Sequence, residues 1–157
     1  MSNRARRPAA AVIQAVDHVA IAVRDADKAA RTFTRLLGWP VVHDEIVAAA
    51  AVRLVYLGPA AGAAGTGAAQ LQLVQPVAAG ALADLVAAQG EGLHHVCFRT
   101  ADINGALLAA GQRGTDGVFT GGRGQPCAFL AQEPHGARIE LTEMAGPVTA
   151  AFERGQS

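Results

Sequence analysis

Short runs of alternating apolar and polar residues are spread along most of the chain. This two-residue period is typical of β-strands that bury one face. It predicts strands over residues 16–23, 41–47, 52–57, 70–75, 94–98, 127–130 and 138–143. Runs of strands therefore make up most of the predicted structure.

Three other segments carry apolar residues at helical spacing. The first starts at a cap formed by Asp25 or Asp27 and ends at Gly38, a residue type that favours the position just past a helix. The second covers residues 79–89, and the third starts at the cap residue Asp102. Helices followed by groups of strands indicate an α+β fold rather than a doubly wound one.

The order of these elements occurs twice. When the two halves are aligned, His18 falls on His95 and Asp25 falls on Asp102, and residues 70–73 match residues 138–141. An internal repeat of this kind indicates one supersecondary unit made twice. The sequence therefore predicts two βαβββ modules in tandem, module 1 over about residues 15–77 and module 2 over about residues 92–144.

The repeat places two histidines, a glutamine and a glutamate at matching positions. In the four strands concerned, the large aliphatic residues fall on one face, and His18, Gln72, His95 and Glu140 fall on the other. Two imidazoles, a carboxylate and an amide oxygen form a suitable donor set for a divalent transition metal. We therefore expect these four side chains to line one concave surface and to bind a metal ion.

The remaining histidines have simpler interpretations. His94 precedes His95, so strict alternation predicts that it points away from the site. His43 and His135 lie beside predicted turns or loops. The glycine-rich segment 121–124 lacks the Lys-Ser/Thr that completes a phosphate-binding loop, so it is at most a local anion contact.

Composition excludes several classes of protein. With 157 residues the chain is long enough for one domain, and its formal net charge of zero provides no field to attract nucleic acid or an anionic membrane. Cys97 and Cys127 both lie in apolar runs, which predicts buried free thiols and a cytoplasmic protein. Residues 1–14 and 145–157 are interpreted as tails around a single domain at 15–144, and the Gly/Ala-rich segment 58–69 as a loop.

Several stretches resemble the vicinal oxygen chelate superfamily, which includes glyoxalase I, bleomycin resistance proteins and extradiol dioxygenases. The resemblance is greatest to its methylmalonyl-CoA epimerase branch. It is carried by the stretches at residues 17–29, 70–76, 90–96 and 139–141, and His94-His95 after Gly92-Leu93 is typical of the epimerases. The resemblance implies a cupped mixed sheet and identifies His18, Gln72, His95 and Glu140 as ligands of a divalent ion (Co, Zn, Ni, Mn or Fe).

By that resemblance the protein is an isomerase that epimerises a 2-substituted malonyl-CoA thioester through a metal-stabilised enolate, with Glu140 as the catalytic base. Some epimerases carry a second acid/base, a glutamate on the third strand, and Leu54 occupies the matching position here. The final turn, around Pro134, is of the general superfamily type. Water, His43 and Glu45 remain as alternative proton donors.

Three other functions share this fold. A glyoxalase I-like lyase or isomerase would use the same four ligands, whereas an extradiol-type Fe(II) dioxygenase needs only His18, His95 and Glu140. A drug-binding protein of this fold generally lacks the metal ligands. The expected partners are a small-molecule substrate, an acyl-CoA thioester on the first interpretation, and a second copy of the chain in a homodimer, with neither nucleic acid nor membrane.

Overall fold

Two βαβββ modules follow each other in the computed structural model, which describes residues 13–59, 67–112 and 117–144. Module 1 consists of β1 (Ile13–Ala22), α1 (Ala26–Leu37), β2 (Val41–Val47), β3 (Val52–Leu57) and β4 (Gln70–Pro76). Helix α2 (Ala81–Gln89) joins it to module 2. Module 2 consists of β5 (Gly92–Thr100), α3 (Ile103–Ala109), β6 (Phe119–Thr120), β7 (Pro126–Phe129) and β8 (Ile139–Glu143).

All eight strands form one mixed sheet in the order β2-β3-β4-β1-β5-β8-β7-β6. The two modules meet in the middle, where β1 pairs antiparallel with β5. Each of these strands has the last strand of its own module as its other neighbour, in parallel: β1 pairs with β4, and β5 with β8. The sheet curls into a half-barrel, which confirms the predicted α+β class and cupped shape.

The residues predicted to cap the helices lie at helix ends in the structure. Asp25, and not Asp27, caps α1, and its carboxylate accepts a hydrogen bond from the backbone N–H of Lys28. Gly38 follows α1 in the left-handed conformation, with a φ of 71°. Asp102 caps α3 by accepting from the N–H of Gly105. Each cap satisfies a backbone donor that the first turn of a helix leaves free.

The outer face of the sheet packs against the helices, as the alternation predicted. Leu73 and Leu57 belong to a buried cluster with Ala26 and Ala30 of α1. In module 2, Leu141 belongs to a second cluster, with helix α3. Burial of these faces leaves the opposite face of the four central strands free to form a cavity.

A third cluster lies on the inner face and combines Val52, Leu54, Tyr56 and Val74 with Leu82 of α2. Helix α2 therefore covers part of the concave side. Cys97 and Cys127 are buried free thiols, as predicted. Within the described ranges, no helix has the length and apolar character needed to cross a membrane.

The structure and the sequence-based expectations differ at some element ends. Strand β1 begins at Ile13, and α2 begins at Ala81 rather than at residue 79. Strand β6 has only two residues, too few for a periodic pattern, and was not predicted. Most of both predicted tails and of the 58–69 loop lies outside the described residues.

Candidate metal centre

The concave face of the sheet encloses a cavity of about 520 Å³. Its wall includes all four side chains predicted to be metal ligands, from strands β1, β4, β5 and β8: His18, Gln72, His95 and Glu140. Each of the four residues is at most 6% exposed. Buried polar side chains require partners, so their shared location needs a chemical explanation.

Three of these side chains converge on one point. Glu140 Oε2 lies 2.7 Å from Nε2 of His95 and 3.5 Å from Nε2 of His18. The two Nε2 atoms lie 3.3 Å apart. The three ligand atoms are all within 4.8 Å of one another, a spacing at which they could hold one metal ion. This donor set fits a divalent transition metal.

Gln72 lies beside this trio and is oriented by Tyr56. The amide Nε2 of Gln72 donates a hydrogen bond of 2.7 Å to the Tyr56 hydroxyl oxygen. That contact uses the amide nitrogen and leaves the amide oxygen, the atom that could bind a metal, available. Burial keeps the pKa of Tyr56 above its ordinary value, so the hydroxyl stays protonated.

The charges of the trio stabilise one another. Burial by itself would raise the pKa of Glu140, but hydrogen bonds with His18 and His95 outweigh it and lower the pKa to about 2. Burial would lower the pKa of His18, yet hydrogen bonds with Asp17 and Glu140 raise it above its ordinary value. The cluster therefore presents an ionised carboxylate to its two imidazoles.

Asp17 is a buried partner of His18 that the alternation argument missed. The pairing of β1 with β5 shifts between Val16↔Phe98 and His18↔Cys97, so Asp17 has no residue opposite it. Such a bulge redirects a side chain. Asp17 Oδ2 lies 2.7 Å from Nδ1 of His18, and Asp17 is fully buried.

Two arginines neutralise Asp17. Arg99 donates to Oδ1 through Nη2 at 2.9 Å and through Nε at 3.2 Å, and Arg123 donates to Oδ2. Burial would raise the pKa of Asp17, but these contacts and that with His18 hold it well below its ordinary value. Asp17, His18 and Cys97 also form a potential ligand group by distance. The two cations beside Asp17 oppose a metal ion there.

Arg123 lies in the segment 121–124, in which Gly121 and Gly122 fit tightly against neighbouring side chains. A Cβ on Gly122 would lie 2.0 Å from the Tyr56 hydroxyl, and one on Gly121 would lie 2.4 Å from Cys127 Sγ. The Arg123 guanidinium lies over the Tyr56 ring, 4.8 Å from its centroid. The segment therefore contacts a carboxylate of the protein itself, that of Asp17, through the Arg123 side chain.

The expectation that His94 points away is wrong. A second shift, between Ala20↔His95 and Ile21↔Leu93, leaves His94 without a residue opposite it. His94 lines the cavity, and its Nδ1 lies 2.7 Å from Nδ1 of His95. Its Nε2 faces Arg138 Nη1 at 2.9 Å. Burial, the neighbouring His95 and Arg138 lower the pKa of His94 to about 4.

The part of the cavity beside Leu54 is apolar, with Val52, Val74 and Leu82 in the same wall. Leu54 pairs across the strands with Glu45. The Glu45 carboxylate accepts from the Arg123 backbone N–H and lies 3.2 Å from His43 Nε2. Among the described residues, neither Glu45 nor His43 belongs to the cavity wall.

The residues that the sequence argument missed lie at bulges or in the segment 121–124. Asp17, His94 and Arg123 break the alternation or lie outside the strands, so periodicity could not identify them. One signal was present: Asp17 and His94 are equivalent positions of the internal repeat, each just before a predicted ligand.

Comparisons with known proteins agree with this architecture. The family model described as the Glyoxalase/Bleomycin resistance protein/Dioxygenase superfamily matches residues 17–129. Among curated proteins, YqjC of Bacillus subtilis (strain 168), described as uncharacterized, is 26% identical over 137 residues, which cover 83% of this chain and 93% of YqjC.

Two solved structures are similar over most of their length. Methylmalonyl-CoA epimerase from Mycobacterium tuberculosis is 27% identical, with a TM-score of 0.74, and the match covers 90% of this chain and 95% of that one. A methylmalonyl-CoA epimerase in complex with methylmalonyl-CoA and NH4+ is 30% identical, with a TM-score of 0.73 and a coverage of 85% and 96%.

Proposed function

Since this chain belongs to the glyoxalase/bleomycin resistance protein/dioxygenase superfamily, we propose that it is a divalent-metal-dependent isomerase that epimerises a 2-substituted malonyl-CoA thioester. The observation that carries the proposal is the convergence of His18, His95 and Glu140 in one buried cavity. The similar structures that are methylmalonyl-CoA epimerases support the choice of substrate class.

His18, Gln72, His95 and Glu140 would hold the ion. When bound, a divalent ion acidifies the carbon between a carboxylate and a thioester by stabilising the enolate. Two neutral imidazoles, a neutral amide and one carboxylate leave the loaded site with a net positive charge. That charge favours the enolate, which carries one negative charge more than the carboxylate substrate from which it forms.

Glu140 is the proposed base that takes the proton from C2. Its carboxylate is ionised, with a pKa held at about 2 by its two histidine partners. In the loaded site Glu140 would be a ligand of the ion, which also makes it a weak base, so its carboxylate has to leave the ion before it accepts a proton.

Return of a proton to the opposite face needs a second donor. The described cavity wall has two carboxylates, Glu140 and Glu133, and Glu133 is paired with Arg138 at 2.9 Å. Leu54 contributes a side chain without a proton to give. We infer that water supplies this proton, so that the exchange of the C2 proton is faster than inversion at C2.

The apolar wall formed by Val52, Leu54 and Val74 would accept the substituent on C2. Burial of each methylene of that substituent contributes about 0.8 kcal/mol. Arg138 also lines the cavity and supplies a cation for an anionic group of the substrate. The cavity therefore has a polar end for the two oxygens and an apolar side for the alkyl group.

Proton NMR of methylmalonyl-CoA in heavy water tests the proposal directly. Protein reconstituted with Co(II) is compared with protein stripped by a chelator. We expect catalytic, metal-dependent loss of the C2 proton signal. No exchange above the stripped control would contradict the proposal and direct the search to hemithioacetals and catechols, the substrates of the glyoxalase I-like and dioxygenase alternatives.

A further inference from the structure

Each of the two candidate histidine ligands is preceded by a residue at a β-bulge that contacts its Nδ1 atom. Asp17 lies 2.7 Å from Nδ1 of His18, and His94 lies 2.7 Å from Nδ1 of His95. Both bulges lie in the pairing of β1 with β5, at equivalent positions of the repeat. In each module the residue just before the histidine contacts its Nδ1 atom, but module 1 uses a carboxylate and module 2 uses an imidazole.

The carboxylate of Asp17 fixes the protonation of His18, because an ionised carboxylate can only accept hydrogen bonds. Asp17 lies 2.7 Å from Nδ1, whereas the carboxylate of Glu140 lies 3.5 Å from Nε2, so the closer contact places the proton of a neutral His18 ring on Nδ1. The lone pair is then on Nε2, the atom that faces His95 and Glu140. A metal ion needs that lone pair.

His94 does not place a proton on Nδ1 of His95, because it faces that atom with an N–H group of its own. A guanidinium only donates, so His94 Nε2 accepts from Arg138. A neutral His94 then carries its proton on Nδ1, facing His95. Of the two neighbours, Asp17 is thus the one that prepares its histidine for a metal.

The surroundings of Asp17 preserve its charge. The residue is fully buried, and a buried carboxylate would be protonated without compensating donors. Arg99 comes from β5 and Arg123 from the segment before β7, so module 2 supplies both cations to a carboxylate of module 1. Arg123 adopts the left-handed conformation, with a φ of 59°, where it makes this contact.

We propose that Asp17, held in place by Arg99 and Arg123, is a positioning residue that keeps the proton of His18 on Nδ1 and turns its Nε2 lone pair to the metal. This assignment rests on the metal centre of the proposed function. Buried carboxylate partners of this kind typically change metal affinity by about 10–100-fold when removed.

The first test is the tautomer of His18, read from long-range ¹H–¹⁵N correlations of the metal-free protein at a pH where the ring is neutral. We expect the proton on Nδ1 in the wild-type protein. A His18 ring that carries its proton on Nε2 would overturn the proposal. This measurement needs no substrate, no metal and no variant, so it decides the matter even if Asp17 variants do not fold.

The second test compares Co(II) affinity, by competition with a chromophoric chelator, in the wild-type protein and in Asp17→Asn. The amide has the same shape, but its NH2 group cannot accept from an arginine partner, so we expect about 10–100-fold weaker binding. A changed Co(II) d–d absorption band should accompany the loss. Equal affinity and an unchanged band would refute the role of Asp17.

Asp44→Asn is the matched control, because Asp44 also accepts from an arginine, Arg53, at 2.7 Å. Asp44 is exposed and is not among the described residues of the cavity wall. Its variant should bind Co(II) like the wild type. If the wild-type protein bound Co(II) but did not exchange methylmalonyl-CoA, the proposed substrate would fail while both tests of Asp17 remained valid.

Discussion

His95 and Glu140 meet at 2.7 Å between Nε2 and Oε2, although they lie on different strands of module 2. Strands β5 and β8 run parallel and pair directly, with Cys97 opposite Glu140. His95 lies two residues before Cys97 and therefore on the same face of the sheet as Glu140, so the two side chains are diagonal neighbours. Both residues line the cavity.

Glu140→Gln removes the proposed base and keeps an oxygen for the metal. We expect the rate of C2 proton exchange to fall by about 100-fold or more, because a neutral amide cannot accept the proton. The measurement is deuterium exchange at saturating Co(II), with the Co(II) affinity determined in parallel. Turnover near that of the wild type would remove Glu140 from the mechanism.

Gln72→Ala removes the fourth candidate ligand. We expect about a tenfold loss of Co(II) affinity, because one donor oxygen is lost. Gln75→Ala is the control, since Gln75 lies on the same strand and is not among the described residues of the cavity wall. Unchanged affinity in Gln72→Ala would instead favour a site of His18, His95 and Glu140 alone, as in the dioxygenase alternative.

Leu54→Glu places a carboxylic acid at the position that the family resemblance matches to the glutamate of some epimerases. The apolar neighbours Val52, Val74 and Leu82 should raise the pKa of the new group, which suits proton donation near neutral pH. We expect inversion at C2 to become faster relative to C2 proton exchange. Circular dichroism of the thioester and deuterium incorporation measure the two rates.

The isosteric variant Leu54→Gln is the control for that experiment. It has a similar shape but no titratable proton, so its ratio of inversion to exchange should match that of the wild type. If the wild-type protein inverted C2 as fast as it exchanged the C2 proton, another residue would already donate the proton on the opposite face, and the prediction would be contradicted.

Acid should weaken the metal-free protein through Glu140. Because folding lowers the pKa of Glu140 from 4.5 to about 2, its stabilising contribution is complete above pH 4.5 and is lost as the pH falls towards 2. The difference in unfolding free energy between the wild type and Glu140→Gln should therefore shrink over that range, by up to about 3 kcal/mol. Urea unfolding at several pH values measures it; a constant difference would contradict the prediction.

Gly122→Ala should destabilise the fold, because its Cβ would lie 2.0 Å from the hydroxyl of the buried Tyr56. Overpacking of this kind costs about 1–3 kcal/mol. Gly117→Ala is the control, since a Cβ there has Gln112 Nε2 at 4.0 Å as its nearest neighbour. Thermal unfolding of both variants gives the comparison; equal melting temperatures would show that the segment moves to make room.

The sequence by itself determined the βαβββ order of elements, the repetition of that order and the four residues proposed as ligands. The alternation along β1, β4, β5 and β8 separated the aliphatic face from the polar face, and the repeat placed His18 with His95. Both properties are periodic, so they can be read without knowing which strands become neighbours.

Only the tertiary structure decided what surrounds those residues. Two bulges in the pairing of β1 with β5 place Asp17 against the ring of His18 and His94 against the ring of His95. Strict alternation would have pointed both side chains to the other face of the sheet. Arg123, one of the two arginines that neutralise Asp17, lies 106 residues away along the chain, in the segment that packs on Tyr56. Such contacts depend on strand register and on packing between modules, and neither property appears in a local pattern of residues.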